Sequence, residues 1–97
     1  MALDWSKYKP LSVQTGLTID STLGGIALTV PTGARAAMVQ VLSQSIRFWC
    51  DGTAPTSLTG FEAQDGDQIE LGSYDEMVKW RGIAVSTSAD AEVTYFH

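Results

Sequence analysis

Apolar and polar residues alternate with a period of two along most of the chain, the mark of strands with one buried face. Leu17 and Ile19 alternate with Thr18 and Asp20, and Ile26, Leu28 and Val30 with Ala27 and Thr29. Ala37, Val39 and Val41 share a face, with Gln40 on the other. Ile46, Phe48 and Cys50 then alternate with Arg47 and Trp49, Ile69 and Leu71 with Gln68 and Glu70, and Val93 and Tyr95 with Glu92 and Thr94. Thr, Val, Ile and aromatic residues crowd these windows, as strands prefer. Turn chemistry separates them: Gly24-Gly25, Pro31-Thr32-Gly33-Ala34, Asp51-Gly52, the irregular Thr53–Thr59 stretch around Pro55, and Gln64–Asp67. Ser43-Gln44 is a short break between two strong strands, so residues 36–50 read as a β-hairpin.

Ser73-Tyr74-Asp75-Glu76 fits a capping box, with Tyr74, Met77 and Trp80 at helical spacing. This predicts a helical turn over residues 74–78, followed by a strand over 79–86, where Gly82 and the Ile83–Val85 alternation return the chain to strand. The pattern predicts an all-β fold, an antiparallel β-sandwich or small jelly-roll-like barrel of about seven or eight short strands. Residues 1–12 read as an N-terminal arm and residues 13–97 as a single domain, with no internal repeat or linker-like run.

The chain has 97 residues and a mass of 10.4 kDa, enough for one compact core but not for a core and a deep cleft. Eleven acids against six bases give a net charge of −5, without the basic footprint that nucleic-acid binders need. Cys50 is the only cysteine and His97 the only histidine, which excludes an intrachain disulfide, a multi-histidine zinc site and a Ser-His-Asp triad. Asparagine is absent, so the chain carries no N-glycosylation acceptor. No apolar run approaches the roughly 20 residues that span a bilayer. The opening Met1-Ala2-Leu3-Asp4-Trp5 lacks the bases and apolar stretch of a signal peptide. These features predict a protein made in the cytoplasm and not addressed to a membrane.

The densest acidic group is Asp65-Gly66-Asp67-Gln68-Ile69-Glu70. Read as a calcium loop it puts Glu76 at the twelfth position, but Ile69 and Glu70 stand where an oxygen ligand and a glycine belong. A tight turn leading into a strand accounts for it better. Asp65, Asp67, Glu70 and Glu62 lack the cleft that would separate two carboxylate pKa values, so acid–base catalysis is not expected. Cys50 shares the inward phase of Ile46 and Phe48 and has no histidine beside it, as a packing residue would. Gly24-Gly25 is followed by no phosphate-loop lysine. The expectation is a protein with no catalytic residues, no metal and no cofactor.

The aromatic residues say more. Strand phase sets Trp49 opposite Phe48 and beside Arg47 on the face expected to be wet, and tryptophan and arginine are enriched at interface hot spots. A loop packed over that face would instead cover both. The arm carries Trp5, Tyr8 and Leu11 at a spacing of three, interleaved with Lys7 and Lys9, before Pro10. It fits folding onto its own domain or lying on a neighbour, and its two bases against an acidic body favour the neighbour.

From Gly33 onward the order of motifs is distinctive. Ala34-Arg35-Ala36-Ala37-Met38-Val39-Gln40-Val41 leads to Ile46-Arg47-Phe48, then to Asp51-Gly52-Thr53-Ala54-Pro55-Thr56 and Gly60. Gly66-Asp67-Gln68-Ile69-Glu70-Leu71, Trp80-Arg81-Gly82-Ile83 and Val93-Thr94-Tyr95 follow. This resembles the small β-rich structural proteins of tailed-bacteriophage particles, of the head-decoration, cement or adaptor kind, over about two-thirds of the chain. Trp49-Cys50 stands where such proteins often carry a polar or charged pair, and the first 30 residues match nothing in that group. The resemblance implies a non-enzymatic virion protein that binds across neighbouring subunits of the major capsid protein, or another virion protein, and stabilises the head. It further implies a homo-oligomer, a trimer foremost, with Trp5, Tyr8, Leu11, Arg47 and Trp49 at the contacts and neither nucleic acid nor membrane as partner. A receptor- or glycan-binding module of a head fibre or tail, with Trp49 stacked on a sugar, is the alternative on the same type of fold.

Overall fold

The computed structural model describes residues 5–97, with Trp5 described by its backbone alone. Eight strands and one short helix follow a 3-10 turn at Trp5–Lys7. The strands are β1 (Pro10–Asp20), β2 (Ile26–Ala27), β3 (Ala36–Leu42), β4 (Ile46–Trp49), β5 (Phe61–Ala63), β6 (Gln68–Leu71), β7 (Arg81–Ala84) and β8 (Ser88–Phe96). The helix α1 (Tyr74–Lys79) lies between β6 and β7. All ladders are antiparallel and form two four-stranded sheets, here A in the order β1-β8-β3-β6 and B in the order β2-β7-β4-β5.

The pairing has a simple logic. The ladders β1·β8, β2·β7, β3·β6 and β4·β5 match first strand with last and fold inward to a single turn between β4 and β5. A long antiparallel ribbon of this kind, rolled until its successive strands fall alternately into two sheets, is a jelly roll. The expected sandwich is therefore present, with eight strands.

Alternation supplies the core. Ala37, Val39 and Val41 of β3, Ala89, Ala91, Val93 and Tyr95 of β8, and Ile19 of β1 point inward from sheet A. Ile46 of β4, Ala63 of β5 and the half-buried Phe48 meet them from sheet B. Met77 and Trp80, both fully buried, plug one end. Ser73 caps α1 through its Oγ, which accepts from the Glu76 amide at 3.1 Å, as the capping pattern predicts. Asp75 and Lys79 pair across one turn at 3.2 Å. The helix runs to Lys79, one residue past the expected end, and the strand after it is confined to Arg81–Ala84.

One expectation fails. Residues 36–50 are not a hairpin, because β3 belongs to sheet A and β4 to sheet B. Ser43 adopts φ 78° and donates its amide to Asp65 Oδ1 at 3.0 Å, so the chain turns a corner between sheets there. The break also lacks the Gly or Asn that a two-residue hairpin requires. Residues 10–12, assigned to the arm by sequence, are the first residues of β1, and Lys9 pairs with His97 through two 2.8 Å backbone bonds. β1 bulges between Pro10 and Ser12 and between Gln14 and Leu17, which breaks its alternation.

Candidate functional site

The chemistry-bearing surface lies at the β4–β5 edge of sheet B. Phe48 and Phe61 are directly opposed in the ladder, with ring centroids 5.9 Å apart. Phe48 continues inward onto Trp80, stacked at 6.1 Å with 25° between planes. Trp80 in turn lies over Gly82, where an added Cβ would come within 2.4 Å of the indole Cη2. Outward, Trp49 meets Phe61 edge-on at 5.3 Å and 64°. An aromatic chain therefore runs from the buried Trp80 to the surface, ending on Phe61, which is 64% exposed, and the half-buried Trp49. Such edge-to-face pairs hold their rings in a defined orientation beyond what burial alone gives.

Arg47 positions the loop beside this pair. It donates from Nε to the Ser57 carbonyl at 3.1 Å and from Nη1 to the Gly60 carbonyl at 3.0 Å. Gly60, at φ 123°, sits so close that a Cβ would be 3.2 Å from the Phe48 backbone N and O. Only glycine suits both the angle and the approach. Thr56 and Thr59 bond to each other through backbone and hydroxyls, and the tip between them presents Leu58 at 84% exposure. Pro55 is buried, and Ile83, the outward neighbour of Arg47 on β7, is only 4% exposed. The loop thus covers part of the outer face of sheet B and leaves its Trp49 end half open.

Of the five residues singled out by sequence, the four with described side chains fall in two places, Arg47 and Trp49 on β4 of sheet B and Tyr8 and Leu11 before and in β1 of sheet A. Arg47 and Trp49 are neighbours on β4, but Arg47 is committed to two carbonyls of its own chain. Tyr8 is half-buried with the Arg35 guanidinium 5.5 Å over its ring. Leu11 lies in β1 of sheet A and is 38% exposed. The Trp5 side chain lies outside the described residues. Phe61 and Leu58 were not anticipated: β5 is three residues long, too short for alternation to mark, and Leu58 stands alone in a polar loop. Cys50 packs half-buried against the core, and burial, with Glu76 and Asp51 adding to it, pushes its thiol above the ordinary range.

Asp65 and Asp67 act as the turn reading expects. Asp67 accepts from the Gln64 amide at 2.8 Å while Asp65 holds Ser43. Among the described residues no three His, Cys, Asp or Glu side chains gather as a metal site would require. A groove of about 290 Å³ between Leu23, Pro55, Ile83 and Val85 has hydroxyls but no ionisable side chain on its walls. No known protein family, curated protein or solved structure matches the chain.

Proposed function

We propose that the chain is a non-enzymatic structural protein of a tailed-phage particle, a head-decoration or cement protein that binds across neighbouring capsid subunits as a homo-oligomer. The observation that carries this reading is the outward Trp49–Phe61 pair, with Phe61 64% exposed on an edge strand and backed by the buried Phe48–Trp80 stack. Rigid, partly exposed aromatic residues with a buried foundation are what an interface hot spot requires, since little side-chain freedom remains to be lost on binding. The resemblance of residues 33–95 to such proteins supports the same assignment. In this reading Trp49 and Phe61, beside the loop anchored by Arg47, form one contact, and the stretch bearing Trp5, Tyr8 and Leu11 forms another. A specific contact of this kind buries roughly 1,200–2,000 Å².

The test is co-sedimentation with phage heads assembled without the chain. Wild type is expected to saturate regular sites, and Trp49→Ala with Phe61→Ser to lower apparent affinity at least tenfold at a temperature where thermal unfolding shows the variant still fully folded. Undiminished occupancy by that variant, or no binding by wild type, overturns the reading. Binding to a glycan array that is lost in Trp49→Ala, without head binding, replaces it with a receptor-binding module.

A further inference from the structure

On the outer face of sheet B, positive charge stands beside the aromatic pair. The ladders set the outward residues there in two rows, Ile83, Arg47 and Glu62 in one and Ala27, Arg81 and Trp49 in the other. Arg81 is therefore directly across the ladder from Trp49, on β7, while Phe61 flanks Trp49 from β5 on the other side. Gly25 packs over the root of the Arg81 side chain, where an added Cβ would lie 3.0 Å from the Arg81 Cβ and 3.2 Å from Pro55 Cδ. The stem thus stands between Gly25 and Trp49, and Arg81 is half-buried. Three other cations are engaged: Arg47 by two carbonyls, Arg35 over the Tyr8 ring and Lys79 by Asp75. The Arg81 guanidinium has no hydrogen bond, ion pair or ring contact among the described residues. Glu62, the one acid in the two rows, is exposed and makes no ion pair among the described residues.

We propose that Arg81 recognises a carboxylate, so that this surface takes a segment of a partner protein carrying an acidic side chain beside the apolar one that seats on Trp49 and Phe61. This rests on the reading of the aromatic pair as a contact and adds the chemistry of what it meets. A guanidinium has donors and no acceptor, and its planar fork matches the two oxygens of a carboxylate. Held at its stem and unpaired at its head, Arg81 is ready to make that bond without first breaking another. Arg81 and Phe61 lie two strand spacings apart, about 10 Å, with Trp49 between them. On an extended segment, side chains two positions apart share a face and are separated by about 7 Å. The length of the arginine stem spans the difference, so an apolar residue over the aromatic pair puts an acid two positions away within its reach. A protein segment suits the site better than a sugar. Phe61 and, in the adjoining loop, Leu58 at 84% exposure present apolar surface, and β5 is an edge strand with one side unpaired, open to an extended chain.

Titration of the full chain, labelled with nitrogen-15 and followed by NMR, tests this with two capped pentapeptides, Glu-Ser-Leu-Ser-Glu and Gln-Ser-Leu-Ser-Gln. An acid on either side of the leucine makes the result independent of the direction in which the peptide lies. The Trp49 indole and Arg81 Nε–H signals should shift with the acidic peptide, which should bind about fivefold or more tightly than its amide counterpart, and less so at high salt. Arg81→Gln should abolish that preference, and Arg81→Lys, which keeps the charge but not the fork, should fall between. Equal binding of the two peptides, or a preference that survives Arg81→Gln, overturns the proposal. So does a response to sialyllactose and to neither peptide, which assigns Arg81 to an acidic sugar, or self-association that moves the same signals without peptide, which assigns it to a second copy. On phage heads, Arg81→Gln should lower apparent affinity about tenfold. Full binding by that variant, with loss in Trp49→Ala with Phe61→Ser, overturns the carboxylate assignment and leaves the aromatic contact standing. Failure of wild type to bind heads overturns the head reading instead, and the peptide comparison still decides what Arg81 recognises.

Discussion

Gly82→Ala is a stringent test of how the core is built. Gly82 lies on β7 opposite Phe48, under the six-membered ring of Trp80. A Cβ there would lie 2.4 Å from Cη2, 3.0 Å from Cζ3 and 3.1 Å from Cζ2. The indole cannot swing away, because Trp80 is fully buried and stacked on Phe48. Overpacking of this kind costs about 1–3 kcal/mol. Restricting the unfolded chain with alanine returns about 0.4–1 kcal/mol, so a net loss of about 1–2 kcal/mol is expected. In a domain of this size each kcal/mol lowers Tm by about 4–8 °C, so the midpoint should fall by about 4–16 °C in thermal unfolding followed by circular dichroism. Trp80→Phe isolates the cause. It removes the three clashing atoms together with Nε1, a buried donor with no partner among the described residues. Such an orphan costs about 1–3 kcal/mol, which offsets part of the lost packing. The double variant should then be at least about 1 kcal/mol more stable than the sum of the two single changes, a coupling that residues in contact show. Strictly additive losses, or a Gly82→Ala variant as stable as wild type, would refute the close approach.

Two other perturbations read out other parts of the structure. Arg47→Ala should cost about 1–2 kcal/mol and speed amide exchange across residues 57–60, and Arg47→Lys should restore little, because one ammonium cannot reproduce the two-carbonyl fork; unchanged exchange in the alanine variant would show that the loop holds without it. Tyr95 is buried, its hydroxyl donates to Gln14 Oε1 at 2.7 Å, and burial pushes its pKa from 10.0 up to about 12. A raised folded-state value means that the stabilisation is complete below pH 10.0 and is lost as pH climbs toward about 12. Tyr95→Phe should therefore flatten the alkaline limb of a Tm-against-pH curve, and an equally steep limb in that variant would place the transition elsewhere.

The parts of the fold that were legible in the sequence are those set by local chemistry. The alternation of β3, β6 and β8 marks their buried faces, and Ser73 with Glu76 marks the start of α1, because a period and a cap are written within a few residues. What decides sheet membership is not local. Ser43 bonds to Asp65, and nothing in Ser43-Gln44 signals that distant acceptor, so a corner between sheets reads as a hairpin. The first half of β1 is obscured because its bulges shift the phase that alternation relies on. At the site, strand phase finds Trp49 and Arg47 together. That Arg47 faces two carbonyls rather than solvent depends on the path of a loop that returns over β4, and Phe61 gains its role only by standing across the ladder from Phe48.

The ribbon-like pairing has a kinetic corollary. Among consecutive strands in the described chain, β4 and β5 alone share a ladder, while every other junction carries the chain to the opposite sheet. Closing β1 on β8 must bring together residues separated by nearly the whole chain, an entropic cost incurred before any contact compensates for it. Folding is therefore expected to begin at the turn that Arg47 braces and to zip outward, with the two ends joining last. The segment that shapes the aromatic edge would then also act as the nucleus, and substitutions there should slow refolding more than they hasten unfolding.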